Sequence, residues 1–245
     1  MGFFIAPSRK ICYDIFQRRA LRMSKESLKT QAYQIIKQKI LNCEFPPGTL
    51  MNENSLCQLL SISRTPVRDA ISRLEHESLV QITPPKGFII KEITLKDLNA
   101  YFETRYFLEL YTIKEYGRNI DKHELEIFFK FFNETVCFPT PEDFYRIASS
   151  LHNIFIEESA NPYFIQTYDQ LNAQEFRIRK LIPLDPECIC QLRELYMELL
   201  TLCLEENWKQ GESSLEHILD TYRDFTFSSY LSGPNIFERN RNEQK

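Results

Sequence analysis

SISRTPVRDAISRLE, residues 61–75, decides the fold of the N-terminal part of this chain. Its apolar residues recur at helical spacing, which predicts an amphipathic helix that begins near its proline, with Ser63 or Thr65 as N-cap. Arg64 and Arg68 lie opposite the apolar stripe in the first turn, where the helix dipole disfavours cations. The pattern therefore predicts that the two arginines meet an external anion.

The segments around this helix complete a winged helix-turn-helix pattern. Before it come a helical stripe between residues 28 and 42, a break at 44–48 with two prolines and a glycine, and a short helix capped by Asn52. After it, VQIT and FIIKEI flank a turn at 84–87, which predicts a β-hairpin. In a winged helix the third helix enters the major groove of DNA with its N-terminus first.

Charge is unevenly distributed along the 245 residues. The net charge is −4, but residues 1–95 hold 14 Lys and Arg against 8 Asp and Glu, whereas residues 96–245 hold 16 against 26. Without residues 1–22 the first part holds only 9 against 7, so the position of the charges matters more than their sum. A basic N-terminal part beside an acidic C-terminal part predicts an anion-binding module joined to a different one.

Composition excludes several classes of protein. Hydrophobic residues make up 43% and charged residues 26%, as in soluble globular proteins, and no apolar run is long enough to cross a bilayer. Seven cysteines without a CxxC pair predict reduced thiols and a cytoplasmic location. We find no P-loop, no GxGxxG and no recognisable catalytic triad, so the chain is predicted not to be an enzyme.

The N-terminal pattern resembles the GntR family of bacterial transcription regulators. The resemblance covers FPPGT at 45–49, NENSLCQLL at 52–60, the opening stretch and PKGFII at 85–90; Ser78 stands where the family usually has glycine. It implies that the recognition helix, the helix before it and the wing tip contact DNA, through Ser63, Arg64, Thr65, Arg68, Asn54, Lys86 and Gly87.

Residues 95–232 show helical periodicity throughout and predict an all-α bundle with helices at 95–118, 122–136, 141–160, 162–182, 186–209 and 212–231. Arg105 and Glu109 in TRYFLE, and His152 in LHNIFIEESANP, resemble the FCD effector domain of the FadR branch of the family. The resemblance implies that this part binds a small-molecule effector and forms the dimer.

Many FCD domains hold a divalent metal with an Asp and three His. Here only His152 matches a ligand position, and Ala148 stands four residues before it, so no metal or other cofactor is predicted. The expected alternative is a metal-free pocket for an acyl or carboxylate effector. Its candidate lining residues are Arg105, Tyr106, Glu109, Tyr145, His152 and Tyr168 or Gln170.

Together these features predict a mainly α, cytoplasmic homodimer that represses transcription at a near-palindromic operator. The predicted divisions are an N-terminal extension at 1–26, with Met23 as an alternative start, a DNA-binding domain at 27–94, an effector and dimerisation domain at 95–232, and a tail at 233–245. Three alternatives remain open: a metal-dependent carboxylate sensor of the same family, a closed pocket that senses nothing, and a winged helix that binds protein instead of DNA.

Overall fold

The computed structural model describes residues 27–135, 138 and 140–232. The predicted N-terminal extension and tail lie outside the described residues. We call residues 27–94 the head and residues 95–232 the bundle. None of the described helices has the length and apolar character needed to span a membrane.

The head contains three helices and a small antiparallel sheet. The helices are α1 (Leu28–Leu41), α2 (Glu53–Leu60) and α3 (Arg64–His76), and the strands are β1 (Leu50–Met51), β2 (Val80–Thr83) and β3 (Gly87–Ile90). The apolar stripes of α1 and α3 face each other and form a core with residues of the sheet, which includes Ala32, Ile36, Ile40, Val67, Ala70, Leu74, Phe88 and Ile90. The three helices and the hairpin follow in the predicted order.

Strand β1 was not predicted, and it extends the hairpin to a three-stranded sheet of order β1-β3-β2. Leu50 pairs with Ile89 and Met51 with Phe88. Gly87 has a φ of +121°, and a Cβ atom on it would lie 2.1 Å from the carbonyl oxygen of Met51. The close approach of β3 to β1 therefore requires glycine at this position.

The bundle consists of six α-helices in its described part. They are α4 (Leu95–Tyr116), α5 (Lys122–Glu134), α6 (Pro141–Glu157), α7 (Pro162–Leu181), α8 (Pro186–Leu204) and α9 (Trp208–Ser232), and a 3-10 turn (Gly117–Asn119) follows α4. Side-chain N-caps begin several of these helices, and Thr94 and Asp97 form a capping box at the start of α4.

One predicted helix boundary is wrong. The last two helices were predicted at 186–209 and 212–231, but α8 ends at Leu204, and Gly211, which falls in the predicted gap, lies buried inside α9. A Cβ atom on Gly211 would lie 3.4 Å from the Sγ atom of Cys203. The glycine thus allows α8 and α9 to pack closely instead of ending a helix.

Aromatic side chains fill the core of the bundle. Phe102, Phe132, Phe144 and Phe155 are at most 2% exposed, and the rings of Phe132 and Tyr196 stack with their centroids 5.3 Å apart. Such ring pairs stabilise a core beyond the area that they bury. These aromatic side chains are therefore part of the core packing of the bundle.

Helix α7 joins the two parts of the chain. The amide of Gln174 donates to the carbonyl oxygen of Glu77 at 3.4 Å, and the guanidinium of Arg177 donates to the carbonyl oxygen of Lys91. Ala173 packs against the core of the head. The head is thus held to the bundle by side chains of a helix that also runs through the bundle core.

Candidate nucleic-acid interface and effector site

The N-terminus of α3 is unlike those of the other α-helices for which an N-cap is described. Ser63 is its N-cap, but the Ser63 side chain makes no capping hydrogen bond, and the first turn contains no acidic residue. Seven other α-helices have a side-chain cap, from Ser27, Asn52, Thr94, Asp121, Thr140, Asn161 and Asp185. The first N–H groups of α3 are therefore left for an external acceptor, and a phosphate is the group that a helix N-terminus binds well.

The side chains at this end of α3 separate cleanly into two faces. Arg64, Thr65 and Arg68 are exposed, whereas Pro66 and Val67 are buried against the head. Burial of the apolar face fixes the rotation of the helix about its axis. The arginines and the uncapped turn therefore point outward on the same surface.

Arg68 is oriented by Glu53, which the sequence did not indicate as its partner. Its Nε and Nη2 atoms donate to the two carboxylate oxygens of Glu53 at 3.0 and 2.8 Å. This hydrogen bond lowers the pKa of Glu53. Both side chains are partly or fully exposed, and an exposed pair of this kind adds little to stability, so a DNA acceptor can displace Glu53 at small cost.

The remaining predicted DNA contacts lie on two neighbouring elements. Asn54 is exposed on α2, next to Glu53, and Lys86 is exposed at the tip of the hairpin. Gly87 follows Lys86, and its role in the fold is the approach of β3 to β1 described above. The head thus presents one polar, cation-bearing surface on α2 and α3 and a separate cation at the wing tip.

Four of the predicted effector residues, Arg105, Glu109, His152 and Tyr168, meet in the core of the bundle. The side chains of Arg105, Glu109 and His152 are 3%, 0% and 1% exposed. Arg105 donates its Nε–H to Glu109 Oε1, and His152 Nδ1 lies 2.5 Å from Glu109 Oε2. The Tyr168 hydroxyl donates to Glu109 Oε1 at 2.7 Å, so one carboxylate receives three partners.

A second carboxylate extends this cluster, which we call the buried network. Glu175 accepts from Nη1 of Arg105 at 2.9 Å and from Nη2 of Arg179. The second ring nitrogen of His152 shares a hydrogen bond of 2.6 Å with the Tyr196 hydroxyl. Two guanidinium groups thus face two carboxylates, and the charges are balanced inside a sealed core.

The electrostatics of the buried network keep its carboxylates ionised. Burial alone raises the pKa of Glu109, but the positive charge of Arg105 and the contact with His152 outweigh burial and lower the pKa to about 2. Burial also opposes ionisation of Glu175, and the charges of Arg105 and Arg179 again reverse it, so that its pKa is lowered. The ionised carboxylates in turn require both arginines.

The other candidate effector residues lie apart from Glu109. The Tyr106 hydroxyl contacts Asp220 on α9, and the Tyr145 hydroxyl accepts from the backbone N–H of Leu184 at 3.1 Å. The Arg179 guanidinium lies 4.3 Å from the centre of the Tyr145 ring, so Tyr145 borders the buried network. Gln170, the alternative to Tyr168, is exposed.

The buried network does not fit a metal site. No group of three potential ligands among His, Cys, Asp and Glu converges in the part of the chain that the structure describes. Ala148 occupies the position one helical turn before His152, and the carboxylate of Glu109 already receives the fixed cation of Arg105. The arrangement therefore gives no metal-dependent step, and the absence of a cofactor remains a prediction.

Comparisons with known proteins identify the head. Residues 28–90 match the family model "Bacterial regulatory proteins, gntR family". Over 146 residues the chain is 29% identical to the "Uncharacterized HTH-type transcriptional regulator YdhC" of Bacillus subtilis, with 58% of this chain and 65% of that protein aligned. Over 70 residues it is 31% identical to the "HTH-type transcriptional repressor RspR" of Escherichia coli, with 29% of this chain and 31% of that protein aligned. The chain thus spans less than two thirds of the length of these curated relatives.

Solved structures share the whole architecture. The structure titled "E. coli McbR/YncC" aligns with a TM-score of 0.66 at 19% identity and covers 84% of this chain and 100% of that one. A putative GntR regulator from Rhodococcus sp. RHA1 aligns with a TM-score of 0.67 at 16% identity and covers 82% and 98%. These likenesses confirm the predicted fold of a winged helix followed by a helical bundle.

The names of the curated relatives describe regulators and no enzyme, in agreement with the prediction that the chain is not an enzyme. The family match therefore covers residues 28–90, which are similar to the gntR family of bacterial regulatory proteins.

Proposed function

We propose that this protein is a sequence-specific, DNA-binding transcriptional regulator that acts in the cytoplasm as a repressor. The observation that carries the proposal is the uncapped N-terminus of α3, which presents free N–H groups, Arg64 and Arg68 on one exposed surface. A DNA phosphate is the anion that this helix end lacks. Occupation of a promoter by the bound protein would block transcription.

Within this proposal, the exposed residues of the head divide into two roles. Arg68 already donates two hydrogen bonds to the carboxylate of Glu53. On DNA, its guanidinium donates instead to the two acceptors that a guanine presents in the major groove. Arg64, Thr65 and Lys86 contact phosphates, which fix the register of the head on the duplex without reading sequence.

We propose that the protein binds DNA as a homodimer, since a two-fold dimer matches a near-palindromic operator. Support comes from an aromatic surface on α4 and α7, formed by Phe107, Tyr111, Tyr163 and Phe164. Phe107 is 70% exposed and stacks on Tyr111, whose ring meets Phe164 edge-on at 5.7 Å. Tyr163 is 77% exposed. Exposed aromatic rings in one place are typical of protein interfaces.

Sedimentation velocity tests the dimer. Phe107→Asp introduces a charge into the aromatic surface and is expected to give a monomer with an unchanged circular dichroism spectrum. Exposed Glu103, one helical turn before Phe107, gives the control Glu103→Ala, which is expected to remain dimeric. A dimeric Phe107→Asp variant would exclude this surface as the interface.

We also propose that the bundle senses a small carboxylate or acyl effector that tunes operator affinity. Arg105, His152 and Tyr168 converge on one carboxylate, that of Glu109, so the core has the donors that a carboxylate requires. Exchange of Glu109 for an effector carboxylate would rearrange α4, and α4 follows directly on the head. A coupling of 1–3 kcal/mol between effector and DNA would change operator affinity by about 5–150-fold.

Selection of bound fragments from random duplex DNA tests DNA binding directly. The selected fragments are expected to share a motif with two-fold symmetry. Arg68→Ala should reduce affinity for the selected site about tenfold or more and relax preference at one base pair of each half-site. The control is Arg118→Ala, because Arg118 is exposed on the bundle, away from the head. Failure to enrich any sequence would refute the proposal and favour a protein-binding role for the winged helix.

A further inference from the structure

Two side chains of α7 hold the head at the C-terminal end of the recognition helix α3. Glu77 is the C-cap residue of α3, and its carbonyl oxygen accepts from the Nε2 atom of Gln174 at 3.4 Å. The guanidinium of Arg177, which is 1% exposed, donates through Nη2 to the carbonyl oxygen of Lys91. We call Gln174 and Arg177 the α7 clamp. The clamp thus contacts the backbone at the end of α3 and directly after β3.

The two clamp residues orient each other. A guanidinium only donates, so Nη1 of Arg177 takes the oxygen atom of the Gln174 amide, at 3.1 Å. The nitrogen atom of the same amide then faces the carbonyl oxygen of Glu77. Removal of the guanidinium would therefore loosen both contacts between the clamp and the head.

The head presents Glu77 to the clamp in a fixed position. The Glu77 carboxylate accepts from the Tyr33 hydroxyl at 2.5 Å and from Nζ of Lys37 at 2.7 Å, and both of these residues lie on α1. Arg73, one turn before Glu77 on α3, places its guanidinium 3.8 Å from the centre of the Tyr33 ring. Because α1 and α3 meet at the residue that the clamp contacts, the clamp holds the whole head and not one side chain alone.

The other side of α7 is fixed in the bundle. Glu175, the residue after Gln174, accepts from Arg105 of the buried network, and the Asn172 amide donates to Asn153 on α6 at 2.9 Å. Successive residues of an α-helix point about 100° apart, so Gln174 can contact the head while Glu175 contacts the bundle core. Helix α7 therefore fixes the direction of α3 relative to the bundle.

We propose that the α7 clamp sets the spacing of the two half-sites that the protein accepts on DNA. The proposal rests on the proposed function, in which a homodimer places two α3 helices in the major groove. While each head is fixed to its bundle, only one separation and rotation of the half-sites fits both α3 helices. Without the clamp each head can adjust to the DNA, so a wider range of spacings binds. Gln174 and Arg177 are positioning residues, because they act on DNA only through α3.

Competition binding with duplexes of different spacing tests this role. A duplex selected from random DNA is compared with the same duplex after insertion of one base pair between its half-sites. The insertion moves one half-site by about 3.4 Å and turns it by about 35°. The wild type is expected to bind the longer duplex about tenfold or more weakly, whereas Arg177→Met is expected to lose about threefold or less. Equal losses for the two proteins would overturn the proposal.

The matched control for this variant is Arg193→Met. It also removes a guanidinium that donates to backbone carbonyl oxygens, those of Phe132 and Thr135, but these contacts lie within the bundle. Arg193→Met is therefore expected to discriminate against the longer duplex as the wild type does. The same relaxed spacing in Arg193→Met would assign the effect to general loosening of the bundle and overturn the role of the clamp.

Gln174→Glu tests the contact with α3 alone. The change keeps the size of the side chain and an acceptor for Arg177, but it removes the donor to the carbonyl oxygen of Glu77. This half-buried position tolerates the new charge, and the variant is expected to relax the preferred spacing. Exposed Gln191 on α8 gives the control Gln191→Glu, which adds the same charge away from the head. Unchanged spacing preference in Gln174→Glu would overturn the proposal even if Arg177→Met does not fold.

Nuclear magnetic relaxation of the backbone amides gives a readout that needs no DNA. In the wild type and in Arg193→Met, head and bundle are expected to share one rotational correlation time. In Arg177→Met the correlation time of the head should fall below that of the bundle, and a single shared value would overturn the proposal. Failure of the wild type to bind any duplex would refute the proposed function and with it the spacing role. The relaxation data would still decide whether the clamp holds α3.

Discussion

Replacement of Glu109 by glutamine tests the buried network. The change keeps the size of the side chain but removes the charge that faces Arg105 and His152. The pKa of Glu109 is lowered from 4.5 to about 2, a difference that corresponds to roughly 3 kcal/mol of stability near neutral pH. Loss of one partner of a buried ion pair costs about 3–5 kcal/mol. The pKa shift and the cost of a broken ion pair therefore predict a similar loss of stability.

Urea unfolding followed by tryptophan fluorescence measures this change in the bundle alone. The single tryptophan, Trp208, begins α9 and packs against Gly117. Glu109→Gln is expected to lower the free energy of unfolding at pH 7 by about 3 kcal/mol. The control is Glu134→Gln, which breaks an exposed pair with Lys130 and should change the value by less than about 1 kcal/mol. A loss below about 1 kcal/mol for Glu109→Gln would refute the reasoning.

The pH dependence gives the same test a second readout. Because the folded-state pKa of Glu109 lies below its unfolded value, its contribution is fully present above about pH 4.5 and is lost as the pH falls towards 2. The wild-type bundle should therefore lose more stability over this range than Glu109→Gln does. Parallel curves for the two proteins would show that Glu109 is not held ionised.

Three further predictions concern the head. Gly87→Ala should destabilise it by roughly 2–4 kcal/mol, because the φ of +121° and the carbonyl oxygen of Met51 exclude a Cβ atom, and hydrogen exchange of head amides would show the loss. Ser78→Gly should stabilise the head by up to about 1 kcal/mol in the same assay, because Ser78 has a φ of +59°, where glycine avoids the strain. Glu53→Gln releases Arg68 and removes a negative charge from the DNA-facing surface. The affinity for non-specific duplex DNA in a filter-binding assay should therefore rise a few-fold. An unchanged or lower affinity would contradict the role given to the Glu53–Arg68 pair.

The local structure of the head could be predicted from the sequence because its signals are local. The apolar spacing of α3, the Asn52 cap and the turn after β2 each lie within a few residues. Strand β1 could not be predicted, because two residues carry no periodicity and Leu50–Met51 is extended only through its pairing with β3. The Glu53–Arg68 fork was also missed, since it joins residues 15 positions apart on two helices.

In the bundle, too, contacts between residues far apart in the sequence could not be predicted. Arg105, Glu109 and His152 were found through a resemblance, and the structure brings them together. Glu175 and Arg179 belong to the same buried network, yet they look like an ordinary surface pair four residues apart on a helix. Only the packing of α7 against α4 shows that Glu175 also meets Arg105, 70 positions away.

The central claim is that the N-terminal end of α3 binds the phosphates and bases of double-stranded DNA. Its most direct test is the salt dependence of binding to a labelled duplex, measured by fluorescence anisotropy for the wild type and for Arg64→Ala. The account predicts that affinity falls steeply with salt, with a logarithmic slope that Arg64→Ala reduces by about one, as expected for the loss of one phosphate contact. No binding to any duplex at low salt, or an identical slope for the two proteins, would contradict it.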